Sequence, residues 1–88
     1  MRNATITISG QEVEIWSAYN TPAGYGHKKI FVELQCMESY KVFSATTNNM
    51  PAYDEANDLE GSARQEALYN IIASQIEDQV IEWLNSLN

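Results

Sequence analysis

The sequence is short of several things, and each shortage narrows what the chain can be. It has one cysteine, Cys36, so it cannot close an internal disulfide, and a reducing cytoplasm is the expected compartment. It has one histidine, His27, which with a single thiol leaves too few soft ligands for a structural zinc site. Bases are scarce: five Lys and Arg against twelve Asp and Glu give a net charge of −7. Phosphate backbones and anionic headgroups are gripped by clustered Lys and Arg, so direct binding to nucleic acid or to an anionic membrane is not expected. No apolar run approaches the roughly 20 residues that span a bilayer. Met1-Arg2-Asn3 leads into polar alternation, not into the apolar core of a signal peptide, so the Asn3-Ala4-Thr5 glycosylation match is read as chance.

What is present suffices for a core. At 88 residues with 44% hydrophobic content, the chain is expected to fold as a single α+β domain over residues 1–88. A domain of this size buries roughly 60–65% of its unfolded surface.

Alternation at period two marks the sheet, which spans residues 4–46. Ala4, Ile6 and Ile8 fall on one side of a first strand ending at Ser9, with Thr5 and Thr7 on the other. Gly10-Gln11 interrupts, and Glu12-Val13-Glu14-Ile15 resumes, so a tight hairpin is predicted with Val13 and Ile15 facing the core. Trp16 would then share the open side with Glu12 and Glu14 unless a bulge re-aims it. Asn20 to His27, with Pro22, Gly24 and Gly26, reads as a loop. Its glycines lack the spacing of a phosphate cradle. A third strand follows from Ile30 to Met37 and a fourth from Tyr40 to Thr46. The connections are too short for crossovers, which predicts an antiparallel four-stranded meander.

Two helices complete the expectation. Residues 51–59 read as a short helix, with Pro51 at its start and Asp54 and Glu55 near the positive end of the macrodipole. Ser62-Ala63-Arg64-Gln65 has the form of a capping box opening a long helix over 62–87. There Leu68, Tyr69, Ile72, Ile76, Val80, Trp83 and Leu87 recur every three or four residues. That stripe is predicted to cover one face of the sheet.

Little here carries reaction chemistry. His27 has no partner at a spacing that suggests a triad, and Cys36 lies on the apolar face of its strand. Asp54 and Asp58 resemble part of a calcium loop, but Leu59 stands where glycine is needed and Gln65 where the closing glutamate belongs. No catalytic residue, metal or cofactor is expected, and the chain is read as not an enzyme.

The acids are distributed unevenly. Residues 1–53 carry four acids and four bases, whereas residues 54–88 carry eight acids against Arg64 alone, which accounts for the whole −7. Asp54, Glu55, Asp58 and Glu60 precede the long helix. Glu77, Asp78 and Glu82 lie in its last turns, where like charges four apart repel and the macrodipole disfavours acids. Ile81 is predicted to project among them, away from the core stripe. In size, single-domain α+β layout and this acid distribution, the chain resembles small phage- or mobile-element-encoded inhibitors of the anti-CRISPR type. The resemblance implies a partner that is a basic, nucleic-acid-binding enzyme or complex, met in the host cytoplasm. The charge distribution itself marks the candidate contact residues: Asp54, Glu55, Asp58, Glu60, Glu77, Asp78 and Glu82 in the place of phosphates, with Ile81 as an apolar anchor among the last three. The alternative is a structural or regulatory interaction module, a homodimer among the options, using Trp16 and Phe31 on the open sheet face.

Overall fold

A computed structural model describes residues 2–87. Four strands, β1 (Ala4–Ile8), β2 (Gln11–Pro22), β3 (Lys28–Cys36) and β4 (Ser39–Thr47), precede α1 (Met50–Asn57) and α2 (Gly61–Ser86). The strands form one antiparallel sheet in chain order, and α2 lies across one face of it. This is the predicted α+β meander with its long covering helix.

Periodicity explains the core. Directly paired residues share a face, so Ala4 with Ile15, Ile6 with Val13, Leu34 with Ile15 and Val32 with Phe43 turn the same way. Val13, Ile15, Ile30, Val32 and Leu34 are fully buried there against Leu68, Ile72, Ile76 and Val80 of α2. Trp83 closes one end, its ring set edge-on to Phe43 at 5.7 Å between centroids. Cys36 is buried on the same face, and its Sγ reaches Gln11 Oε1 at 3.5 Å.

The hairpin turn falls on Ser9-Gly10, one residue earlier than the predicted Gly10-Gln11. Both residues have positive φ, 51° and 79°, as the twist of a two-residue hairpin demands. Gln11 therefore belongs to β2, opposite Ile8. The turn between β3 and β4 places Met37 at φ 59°, an unusual conformation for a long side chain. Gln35 Nε2 braces it by donating to the Met37 carbonyl at 2.9 Å.

The second strand runs well past its predicted end. A bulge lies between Ile15 and Ser17, after which pairing with β3 continues to Pro22 opposite Lys28. The segment predicted as a loop from Asn20 thus contracts to residues 23–27. Beyond Ile15 β2 has no β1 partner, so its outer edge from Trp16 to Pro22 is unpaired by strand.

The capping box does not form. Glu60, in extended conformation, is the N-cap of α2 and makes no side-chain cap bond. Gln65 is instead engaged across the fold: its Oε1 accepts the Ala4 N–H at 2.8 Å, and its Nε2 donates to Asn3 Oδ1 at 3.1 Å. A backbone donor at the sheet margin gains more from that amide than the first turn of a helix already open to water. The short helix is capped by Asn49, whose side chain accepts the Ala52 N–H, and it ends at Asn57, two residues before the predicted Leu59. Tyr53 ties it to the sheet by donating its hydroxyl to Asn20 Oδ1 at 2.7 Å.

Candidate interaction surfaces

The face of the sheet that α2 leaves uncovered is apolar at its middle. Two consequences of register build it. Gln35 pairs with Tyr40 and Glu33 with Val42, which puts Tyr40 and Val42 on the open side. The bulge then shifts the phase of β2, so that Ala18 joins the core opposite Val32 while Tyr19 emerges opposite Phe31. The bulge re-aims Tyr19; Trp16 stays outside.

The rings are ordered in pairs. Trp16 meets Tyr40 edge to face at 5.5 Å, and Tyr19 stacks on Phe31 at 4.9 Å with 9° between planes. Such pairs contribute about 0.5–1.5 kcal/mol beyond the area they cover. Even so, Trp16, Tyr19, Tyr40 and Val42 each remain between 46% and 50% exposed. With about 150–250 Å² per aromatic ring, the patch leaves several hundred Å² of apolar surface in water, the range that marks contact sites on monomers. Along the strands it is flanked by Lys29, whose Nζ lies 5.2 Å from the Phe31 ring, and by Glu33, Glu14 and Glu12. Asn3 Nδ2 donates to Glu14 at 2.8 Å.

The acids predicted to form the site are found on the helices, in two groups. Asp54 and Glu55 lie on α1, Asp58 is its C-cap, and Glu60 is the N-cap of α2; all four are exposed. Glu77, Asp78 and Glu82 are exposed in the second half of α2. From Glu60 to Glu82 the helix axis rises about 33 Å. Asp78 and Glu82 are one turn apart, but the exposed row leading back from them passes through Ser74 and Asn70 before it reaches Glu66. The acids therefore do not form one line at phosphate spacing.

Ile81 corrects the sequence reading. It is half-buried, not exposed among acids, because Tyr69, Ala73, Glu77 and Ile81 form a row of i, i+4 neighbours lining a shallow hollow with Thr7, Ile8 and Ser9 of the hairpin. Glu77 and Glu82 also diverge, since Glu82 lines a different hollow with Lys41 and Trp83 on the β4 side.

None of these carboxylates is neutralised. The lysines lie over rings, Lys28 on Tyr53, Lys29 on Phe31 and Lys41 on Phe43, and Arg64 donates to Asn57 Oδ1 at 2.9 Å. Among the described residues no Lys or Arg pairs with an Asp or Glu within ion-pair distance.

Among the described residues no group of three or more His, Cys, Asp and Glu could hold a metal. His27 is exposed at the base of the 23–27 loop, where its carbonyl accepts the Ala23 N–H, with its Nδ1 2.9 Å from the Tyr25 carbonyl; Cys36 is buried. No helix among the described residues is long and apolar enough to cross a membrane.

Tyr69 is the titratable group whose environment stands out. Burial, and then the charge of Glu77, raise its pKa above the ordinary 10.0. A group whose folded pKa is raised contributes stability that is intact below its unfolded pKa and lost as pH climbs through the folded value. Stability should accordingly fall above pH 10.0, and in a phenolate absorbance titration one of the five tyrosines should ionise last, together with unfolding. In Glu77→Gln that last step should move to lower pH. Sequence reading missed Tyr19 and Tyr40 as surface residues. The alternation of the fourth strand could have found Tyr40, but nothing local signals the bulge that exposes Tyr19.

Compared with known protein families, curated proteins and solved structures, this chain matches none.

Proposed function

We propose that this chain acts by binding protein, without catalysing a reaction, and that the open sheet face around Trp16, Tyr19, Phe31, Tyr40 and Val42 is its contact surface. The observation that carries this reading is the ordered aromatic patch left half in water on the side that α2 does not cover. Aromatic anchors held rigid by their neighbours lose little side-chain freedom on association, and such residues dominate binding energy at interfaces.

A second reading keeps the acidic helices as the contact surface. In it the chain is a phage- or mobile-element-encoded inhibitor of the anti-CRISPR type, whose Asp54, Glu55, Asp58, Glu60, Glu77, Asp78 and Glu82 occupy a basic nucleic-acid-binding groove. Among the described residues no Lys or Arg pairs with these acids, and that favours it, because the helix carboxylates are left open to a basic partner. Its weak point is the division of the acids into two groups.

One comparison separates the two. Immobilised wild type, a Trp16→Ala/Tyr40→Ala variant and an Asp78→Lys/Glu82→Lys variant are exposed to bacterial lysate at low and at high salt, and each identified protein is rebound in purified form. Sheet-face contact predicts binding that survives salt and charge reversal and is lost in the alanine variant. Binding lost on charge reversal, weakened by salt and indifferent to the alanines would replace it with the inhibitor reading.

A further inference from the structure

We infer that the occupant of the open face is a second copy of this chain, packed face to face about a two-fold axis that crosses the strands at Phe31; this rests on the reading of that face as the contact surface. Lys29, Phe31 and Glu33 are successive open-side positions of β3, paired with Thr21, Tyr19 and Ser17. At about 3.4 Å per residue, Lys29 and Glu33 stand about 7 Å to either side of Phe31. An axis through Phe31, lying between the faces and perpendicular to the strands, reverses strand direction and lays Lys29 of each copy on the partner's Glu33. An axis along the strands would oppose Lys29 with Lys29 and Glu33 with Glu33. The charge pattern thus selects one arrangement, and it is self-complementary as an isologous interface requires.

The aromatic features of the face fit the same axis, while Glu12 and Glu14 lie outside its centre, toward the far end of β2. The stacked Tyr19–Phe31 pair meets its own symmetry mate at the centre, where an interface is apolar and rich in aromatics. Tyr40, opposite Gln35 and four residues beyond Phe31, carries Trp16 with it over the partner's 23–27 loop, where Tyr25 is wholly exposed. Strands of 5, 12, 9 and 9 residues, each residue covering about 3.4 by 4.8 Å, give a face of roughly 570 Å², which side-chain relief extends toward the about 800 Å² per partner of a standard interface.

Long-range charge permits the approach. Residues 1–53 are neutral, and the −7 resides on the helical side, which faces outward in this pairing. With layers about 10 Å apart, the two acidic surfaces lie about 30 Å from each other, several times the Debye length of about 8 Å.

Sedimentation equilibrium of the full chain tests this. Wild type should approach twice 9.9 kDa at tens of micromolar and dissociate on dilution. Lys29→Glu and Glu33→Lys each create two like-charge contacts and should weaken association by about a hundredfold or more. The double variant Lys29→Glu/Glu33→Lys restores both contacts with their signs exchanged and should recover to within about tenfold of wild type. Circular dichroism and melting confirm that every variant is folded. A single 9.9 kDa species up to about 1 mM overturns the proposal, as does a dimer indifferent to the single reversals or a double variant no better than the singles. If the chain is monomeric while Trp16→Ala/Tyr40→Ala still abolishes binding of a different purified protein, the face is a contact surface whose occupant is not a copy. If neither association nor binding depends on those rings, both readings fall.

Discussion

Trp83→Ala should lower the melting temperature by roughly 15–30 °C, with the loss read in a thermal or urea transition followed by circular dichroism. The indole is 7% exposed and fills the end of the core between α2 and β4, edge-on to Phe43. Removing a buried tryptophan forfeits its transfer from water and leaves a cavity that the rigid sheet beneath cannot close, a cost of about 3–5 kcal/mol. An 88-residue domain holds only about 4–13 kcal/mol in total, so the variant is left near the margin. Trp16→Ala provides the contrast. Its ring is 46% exposed and touches Tyr40 alone among the aromatics, and its loss should cost less than about 1.5 kcal/mol. A Trp16 deletion as damaging as that of Trp83 would mean that the ring belongs to the core and is not a contact residue.

Val32→Asp should abolish folding at neutral pH. Val32 is fully buried at the centre of the sheet, paired with Ala18 on one side and Phe43 on the other. A carboxylate there has no base within the core to pair with, and desolvating an unpaired charge costs several kcal/mol on top of the lost valine. Burial raises the pKa of such an acid in the folded state, so the penalty is absent below its unfolded pKa, grows as pH rises toward the folded pKa and is largest above it. Partial recovery of β structure on acidification, absent from a Val32→Lys control, is the expected signature. Cooperative unfolding of Val32→Asp at neutral pH, with a midpoint like that of wild type, would mean that the helix does not seal this face.

Much of this architecture is legible from periodicity alone. Val13, Ile15, Ile30, Val32 and Leu34 alternate at period two, and Leu68, Ile72, Ile76 and Val80 recur at helical spacing, so strands, helix and the faces they bury follow from the order of residues. Three features escape because their causes are not local. The bulge at Ile15/Ser17 adds one residue to the phase of β2, and a phase slip followed by Asn20 and Pro22 is indistinguishable in sequence from the end of a strand. Gln65 matches a cap by spacing, but its amide serves Ala4, 61 residues away. Ile81 points off the core stripe at an ideal 100° per residue, and only the hairpin beside α2 shelters it. The candidate contact face was legible in outline through Trp16 and Phe31. Its continuity, which depends on Tyr19 emerging and Tyr40 crossing β3 to meet Trp16, required the register.

The Gln65–Ala4 bond also bears on the order in which the chain assembles. Each pair of neighbouring strands is joined by a short connection, so β2, β3 and β4 meet by closing small loops at little entropic cost and on fast timescales. The N-terminal end of β1 is different, since the Ala4 amide finds its acceptor only after the whole intervening chain has brought α2 into place. Folding should therefore proceed outward from the central hairpins, with β1 the last strand of the sheet to be latched. A folding transition state rich in β2–β3 contacts, with little contribution from Gln65, is the kinetic form that its long-range bonds to Ala4 and Asn3 impose.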